Sequence, residues 1–315
     1  MTKKMICCPR CGFEQEASDE CISCGIVYSK FEKRSARASE TNHTKKQRPG
    51  TGKPGLSFRT LRIALLLIIL LFVGLNAWMT KRRSTDWDLP LKTVLYPING
   101  DGSKTSEDYI RSLELYSFED IEAFMQQEAE RYGLTIDEPF TLIEGPHIKE
   151  LPPAPPVEGT MLGIIWWSLK MRYWAYRVNT YRGPAPDIQM FVLYYNPKDY
   201  KQLDHSLGLE KGLIGVVNAF ASRSMEGENN VVIAHEILHT LGATDKYNYK
   251  DDLSVYPEGY AEPEREPLYP QEKAEIMACR IPRSEGKATM PEGLFTTVIG
   301  RKTAEEIRWV EEHPE

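Results

Sequence analysis

Apolar and polar positions alternate differently along three stretches of the chain. Residues 1–60 have few apolar positions and no sustained periodicity. Ile63 to Leu75 then reads IALLLIILLFVGL, thirteen residues without a charge, and Leu61–Thr80 extends the run to twenty, broken only by Arg62 and Asn76. Twenty helical residues at 1.5 Å each match the ~30 Å hydrocarbon layer, so this stretch predicts a transmembrane helix over 61–80. Arg62 would snorkel at one end and Trp78 would sit at the opposite interface.

Beyond this run the periods are those of a mixed domain. Val94–Ile98 predicts a short strand. Ser117 predicts an N-cap, followed at helical spacing by Phe118, Ile121, Phe124 and Met125. Residues 151–157 (LPPAPPV) predict a polyproline-like connector. Met161–Tyr181 predicts a long, aromatic-rich helix packed into the core. Gln189–Tyr195 and Leu213–Phe220 predict strands, and Val231–Gly242 a helix capped by Asn229 or Asn230. Pro- and Glu-rich 257–272 predicts an extended loop, and Thr303–Glu312 a terminal helix. The mixture predicts an α+β or α/β fold. The expected organisation is 1–30, a small metal-stapled module; 31–60, a basic flexible linker containing RPGTGKPG; 61–80, the membrane span; 81–104, a juxtamembrane segment; and 105–315, one large domain.

Composition narrows the classes. The chain has 315 residues, 41% hydrophobic and 27% charged, with 6 Cys, which excludes a collagen, a wholly disordered chain and a disulfide scaffold. A single long apolar run excludes a multi-span protein. Charge is unevenly placed: residues 1–62 hold 13 Lys+Arg and 6 Asp+Glu, and residues 84–315 hold 23 and 39. Basic residues lie on both sides of the apolar run, with an excess before it. The positive-inside rule therefore places the N-terminus in the cytoplasm and the large domain outside it, as a single-pass membrane protein. Attraction to anionic headgroups accounts for the basic stretch 30–62, so membrane lipid is an expected partner and nucleic acid is not.

Five of the six cysteines fall in the first 24 residues. Cys8-Pro-Arg-Cys11-Gly12 and Cys21-Ile-Ser-Cys24-Gly25 are two CxxC-Gly knuckles. Each aims two thiolates inward from one tight turn, so together they predict a four-cysteine zinc site that resembles a short zinc ribbon. Four thiolates close the coordination shell, which makes the site structural. A disulfide-linked or redox CxxC pair is the alternative. Thiolate ligation favours a reducing compartment, and a cytoplasmic protein partner is expected for the ribbon.

His235-Glu236-Ile-Leu-His239 is an HExxH motif within VVIAHEILHTLGA. On a helix the two histidines share one face and reach one metal, and Glu236 lies beside it. The run continues to Gly242 and Asp245, giving HExxHxxGxxD. Gly242 can adopt positive φ and end the helix, so that the chain swings Asp245 toward the metal. The motif resembles that of the metzincin metallopeptidases, in the minority form with Asp as third ligand found in the snapalysins. The resemblance covers roughly 213–281 and implies a metzincin-like catalytic domain with a mixed sheet and an active-site helix. It implies a catalytic zinc held by His235, His239 and Asp245, with Glu236 as general base in peptide-bond hydrolysis. It further implies a Met-turn at Glu275-Ile276-Met277-Ala278, with Met277 as a hydrophobic floor, and places Leu213–Phe220 as the edge strand that pairs with a peptide substrate. Some metzincins carry a Tyr two residues after that Met; here Cys279 stands there, and spacing does not choose among Tyr247, Tyr249, Tyr256 and Tyr260 as a substitute. In the rival ligand scheme, that of the gluzincins, Glu258, Glu262 or Glu264 would bind the metal from a second helix, which the neighbouring prolines oppose. The expected function is a membrane-anchored zinc endopeptidase acting on peptide or protein substrates. The alternative is a non-catalytic adaptor with a structural or relic HExxH site.

Overall fold

The computed structural model describes residues 4–30, 32, 58–83, 85–156, 160–209 and 213–311, so the linker expected over 31–60 lies almost wholly outside the described residues. The chain divides into two compact units, Met1–Leu65 and Leu66–Glu315.

In the first unit strands β1 (Met5–Cys7) and β2 (Glu14–Glu16) form an antiparallel hairpin. Its apolar content is small, and a polar side chain helps to brace it. Gln15 is buried, accepts from the Ile22 amide through Oε1 at 2.9 Å and donates to Glu20 O at 2.7 Å. The next element, helix α1 (Phe58–Arg83), contains the boundary between the two units.

The expected membrane span over 61–80 is not upheld. Among the described residues no helix is long and apolar enough to cross a membrane. The charge-free run Ile63–Leu75 rises only about 20 Å as a helix, short of the ~30 Å hydrocarbon layer. The single-pass topology and the extracytoplasmic placement of the large domain, both drawn from that span, are withdrawn with it.

The second unit is α+β and is built on a five-stranded mixed sheet. Its elements are β3 (Leu91–Asn99), α2 (Lys104–Arg111), α3 (Glu119–Arg131), β4 (Phe140–Glu144), α4 (Met161–Val178), β5 (Ile188–Tyr195), β6 (Leu207–Leu209), β7 (Ile214–Phe220) and α5 (Glu226–Leu241). The short pairs β8 (Tyr247–Asn248) with β9 (Leu253–Ser254), β10 (Ala274–Glu275) with β13 (Thr297–Val298), and β11 (Ile281–Ser284) with β12 (Lys287–Thr289) follow, before helix α6 (Arg301–Glu306). The sheet order is β4-β3-β5-β7-β6. Its first four strands are parallel and β6 pairs antiparallel with β7.

The central strands are apolar on both faces because both faces are covered. Leu95, Met190, Val192, Tyr194 and Val217 point to one side, where Phe124 and Met125 of α3 and Ile237 and Leu238 of α5 pack. The alternate residues Val94, Tyr96, Ile98, Phe191 and Leu193 point to the other, against Met171 and Trp174 of α4. Trp87 is in the first core and donates from Nε1 to Ile307 O at 2.9 Å, tying the start of the unit to its end.

Several local expectations shift. The strand expected at Val94–Ile98 is the middle of a nine-residue strand. Ser117 does not cap: helix α3 begins at Glu119 after a 3-10 turn, and Ser117 Oγ accepts from Arg223 at 3.2 Å. Helix α5 starts one turn before Asn229 and Asn230. Asn229 instead spans to β7, accepting from Phe220 N and donating to Phe220 O, each at 2.9 Å, while Asn230 donates to Ser117 O at 2.9 Å. Glu226 and Glu228 complement the dipole of this earlier first turn. The strand at 213–220 is not an edge: β7 lies between β5 and β6, and the edge on that side is the three-residue β6. Helix α4 meets the core with one face only.

Candidate metal centres

Each CxxC knuckle is a tight turn closed by glycine. Gly12 N donates to Cys8 O at 2.9 Å and Gly25 N to Cys21 O at 2.8 Å, with φ of 74° and 65° at the two glycines. Those angles are open to glycine and strained for other residues. The turns converge four sulfurs: Cys8 Sγ lies 3.7 Å from Cys24 Sγ, and Cys11 Sγ 3.7 Å from Cys21 Sγ. A disulfide needs ~2.05 Å, whereas a tetrahedron with ~2.3 Å metal–sulfur arms has an edge of about 3.8 Å. Cys7 stands apart, exposed, with its thiol on Gly12 O, so Cys8 is the ligand of the first knuckle. Burial would raise the Cys8 thiol, but the backbone amides of Cys11 and Arg10 outweigh it and lower it to about 6, toward the ligating thiolate.

The second cluster is carried by α5 and the turn after it. Gly242 ends the helix at φ 108°, the left-handed conformation expected of it, and the chain turns back. His235, His239 and Asp245 then converge, each offering one ligand atom within 4.8 Å of the others. Asp245 Oδ1 lies 3.2 Å from His235 Nε2 and 3.0 Å from His239 Nε2. A tetrahedral shell with arms of ~2.05 Å has an edge of about 3.3 Å, so these atoms sit close to coordination spacing. The opposite ring nitrogens are held by carbonyls, His235 Nδ1 by Ile276 O at 3.0 Å and His239 Nδ1 by Ala243 O at 2.8 Å. These contacts orient both rings so that their Nε2 atoms face Asp245 Oδ1.

The cluster's electrostatics call for positive charge. Burial would raise the Asp245 carboxyl, but hydrogen bonds from His235, His239 and Tyr249 hold it well below the usual carboxylate range. Burial would lower His235, but the Cys279 sulfur and Asp245 outweigh it. Beside them Glu236 is 4% exposed and its Oε2 has no hydrogen-bond partner among the described residues. Burial raises its carboxyl above the ordinary value. His235, Glu236, Tyr247 and Cys279 share the wall of one cavity of about 400 Å³.

Asp245 is held from outside the motif. Thr244 N and Oγ1 donate to Glu306 of α6 at 2.9 and 2.6 Å, and Lys246 Nζ pairs with the same carboxylate at 2.7 Å. Lys246 N donates to Met277 O at 3.0 Å. The turn at 275–279 is itself built on buried Glu275, which accepts from Met277 N at 2.7 Å and Ala278 N at 3.1 Å through one oxygen. Through the other it accepts from Gly300 N at 3.0 Å and Thr303 Oγ1 at 2.7 Å. Met277 is fully buried in the core that includes Ala234, Ile237 and Leu238 of α5. Cys279 Sγ lies 3.2 Å from His235 Nδ1.

The structure separates the tyrosines that spacing could not. Tyr249 donates to Asp245 Oδ2, Tyr260 pairs with Tyr269 at 2.8 Å, and Tyr256 reaches Pro263 O at 3.5 Å, whereas Tyr247 lines the cavity. Glu258, Glu262 and Glu264 are exposed and outside the cluster. Sequence reasoning missed Gly208 altogether. A Cβ there would lie 2.5 Å from His239 Cβ and 2.9 Å from Glu236 O, so only glycine lets β6 cross this close to α5. Its sole sequence signal is a glycine inside a short apolar run.

No family model and no curated protein matches the chain. The likeness to metzincins therefore rests on the motif alone. The structure itself shows one cluster of four cysteines and one of two histidines and an aspartate, each able to bind a metal ion.

Proposed function

We propose that the second unit is a zinc-dependent endopeptidase and that the four-cysteine cluster carries a structural zinc. The observation that carries the reading is Glu236: a buried carboxylate with an unpartnered oxygen, in the cavity wall next to three convergent ligand atoms. A structural metal site needs no such base. Zinc held by His235, His239 and Asp245 would supply a Lewis acid and acidify a bound water. Glu236 accepts a proton from the attacking water and returns it to the leaving amine. Its raised pKa suits both halves of that task. Tyr247, whose phenol is pushed up by burial and by the nearby Asp245 carboxylate, stays protonated and donates to the developing oxyanion.

Strand β6 suits a peptide as substrate. Among the described residues it pairs only with β7, and a Cβ at Gly208 would lie 3.2 Å from Glu236 Oε2. An extended peptide can add to its free edge by main-chain hydrogen bonds, with the scissile bond over Glu236.

The test is metal analysis beside a hydrolysis assay on labelled casein. The parent is expected to hold two zincs, falling to one in Cys8→Ser and to one in Asp245→Ala. Glu236→Gln is expected to keep both and lose hydrolysis. Unchanged metal content in Asp245→Ala, or unchanged hydrolysis in Glu236→Gln, would overturn the assignment.

A further inference from the structure

Helix α4 has two apolar stripes and the fold uses one. Met171, Trp174 and Ala175 pack against the sheet, and Trp167 is buried with its Nε1 on Pro153 O at 2.9 Å. Leu162, Ile165, Trp166, Leu169, Tyr173 and Tyr176 recur at helical spacing on the outer side, each between 51% and 83% exposed. A contiguous apolar stripe of this length on an exposed helix marks an interaction surface.

Charge selects what covers it. Residues 160–186 contain Lys170, Arg172, Arg177 and Arg182 and no Asp or Glu, whereas the remainder of 84–315 holds 19 Lys+Arg against 39 Asp+Glu. Lys170 lies over the Trp166 ring, 5.9 Å from its centroid, while Arg172 bonds Ser168 and Arg177 pairs with Glu150 at the helix edge. A second copy seated on this stripe across a twofold axis would set one basic stripe against another, which is unfavourable. An acidic surface that also accepts aromatic rings fits both features. Trp, Tyr and Leu on one side with Lys and Arg alongside is the pattern of helices that lie in the headgroup plane.

We infer that α4 docks peripherally on an anionic lipid surface, its axis in the plane of the headgroups. Trp166, Leu169 and Tyr173 enter the boundary region and Lys170 meets lipid phosphates. The helix lies on the surface and does not cross it. Because α4 and α5 cover opposite faces of the sheet, docking leaves the cavity beside His235 and Glu236 on the side turned away from the lipid. The inference does not depend on peptidase activity.

The experiment uses the full chain with phosphatidylcholine vesicles, with and without phosphatidylglycerol, carrying brominated acyl chains that quench nearby tryptophan. Trp166→Phe keeps an apolar, exposed ring, so it leaves the fold intact and removes the reporter. The difference between parent and variant therefore reads α4 rather than α1, whose apolar side chains are also exposed. The expected result is quenching in anionic vesicles that is weaker in neutral vesicles and in 0.5 M salt, with a component absent from Trp166→Phe. Leu169→Asp is expected to lower partitioning about tenfold. Equal quenching of parent and Trp166→Phe would overturn the inference. So would concentration-dependent dimerisation of the parent, seen by light scattering and abolished by Leu169→Asp, which would assign the stripe to a second copy.

Discussion

Replacing Glu306 by alanine removes the carboxylate that grips both neighbours of Asp245. Thr244 is exposed, so water replaces its two lost bonds at small cost. Lys246 is different: its side chain is 3% exposed and its ammonium would lose its one close ion pair among the described residues. Breaking a buried ion pair on one side costs on the order of 3–5 kcal/mol. Lys246 Nζ keeps bonds to Thr244 O at 2.8 Å and Thr244 Oγ1 at 2.9 Å, which argues for the lower end, about 3 kcal/mol. For a unit of this size that lowers Tm by roughly 6–12 °C. A second effect is separate. With residues 244–246 released from α6, Asp245 loses its fixed approach to the two histidines, and metal affinity falls about 10–100-fold, as when other outer partners of ligands are removed. Calorimetry on chelator-treated protein reads the first effect, and competition with a chromophoric chelator reads the second. The double variant Glu306→Leu/Lys246→Met separates them. A well-packed apolar pair restores most of the stability but not the hold on Thr244, so affinity stays low. An unchanged Tm together with unchanged metal affinity in Glu306→Ala would refute the argument that α6 positions the ligand.

Three further outcomes follow from other parts of the structure. Gly208→Ala places a methyl 2.5 Å from His239 Cβ, so β6 must withdraw; hydrolysis is expected to fall at least tenfold for a stability loss of about 1–3 kcal/mol, read by casein cleavage beside thermal unfolding. Cys21→Ser is expected to remove one metal equivalent and the ribbon's dispersed amide NMR signals, while the transition of the second unit stays in place. Burial would raise the Asp101 carboxyl, but the amides of Asn196, at 2.7 Å, and Ser103, at 2.9 Å, outweigh it and hold it below its ordinary value. Its folded pKa is below the unfolded one, so its contribution is fully present above the ordinary carboxylate range and is lost as pH falls through the folded value. Asp101→Asn should cost about 1.5–3 kcal/mol at neutral pH and flatten the acid limb of denaturant stability measured from pH 7 to pH 3.

What was legible in the chain were the features whose cause is local. Each CxxC-Gly turn is specified by five consecutive residues, and the sulfurs meet as those residues require. HExxHxxG sets two imidazoles one turn apart and ends the helix, because helical period and a positive φ are short-range facts. The apolar runs found the central strands for the same reason. The misses have longer reach. Asn229 and Asn230 read as caps because their amides are good local acceptors, yet the backbone of Phe220, 9 residues away, claims the first and that of Ser117, 113 residues away, the second. The run at 213–220 is placed at the edge by the metzincin resemblance alone, whereas β6, which lies outside it in the sheet, is three residues long and carries almost no pattern of its own. The outer stripe of α4 read as core because a helix apolar all round is usually buried.

The same division of reach governs the site. Its ligands come from one eleven-residue motif, His235 to Asp245, but what holds them does not. Ile276 O orients His235, Met277 O takes the Lys246 amide, Glu275 ties that turn to Gly300 and Thr303, and Glu306 of the same terminal helix clasps both sides of Asp245. Nothing in spacing or period marks Glu275 or Glu306, since a carboxylate in a sequence rich in Asp and Glu looks like a solvated one. Burial distinguishes Glu275, 0% exposed with four hydrogen bonds, and its hold on Thr244 and Lys246 distinguishes Glu306. The motif supplies the three metal-binding side chains and residues 275–306 hold them in place. A chain truncated before α6 would therefore keep all three ligands and Glu236, yet bind metal weakly.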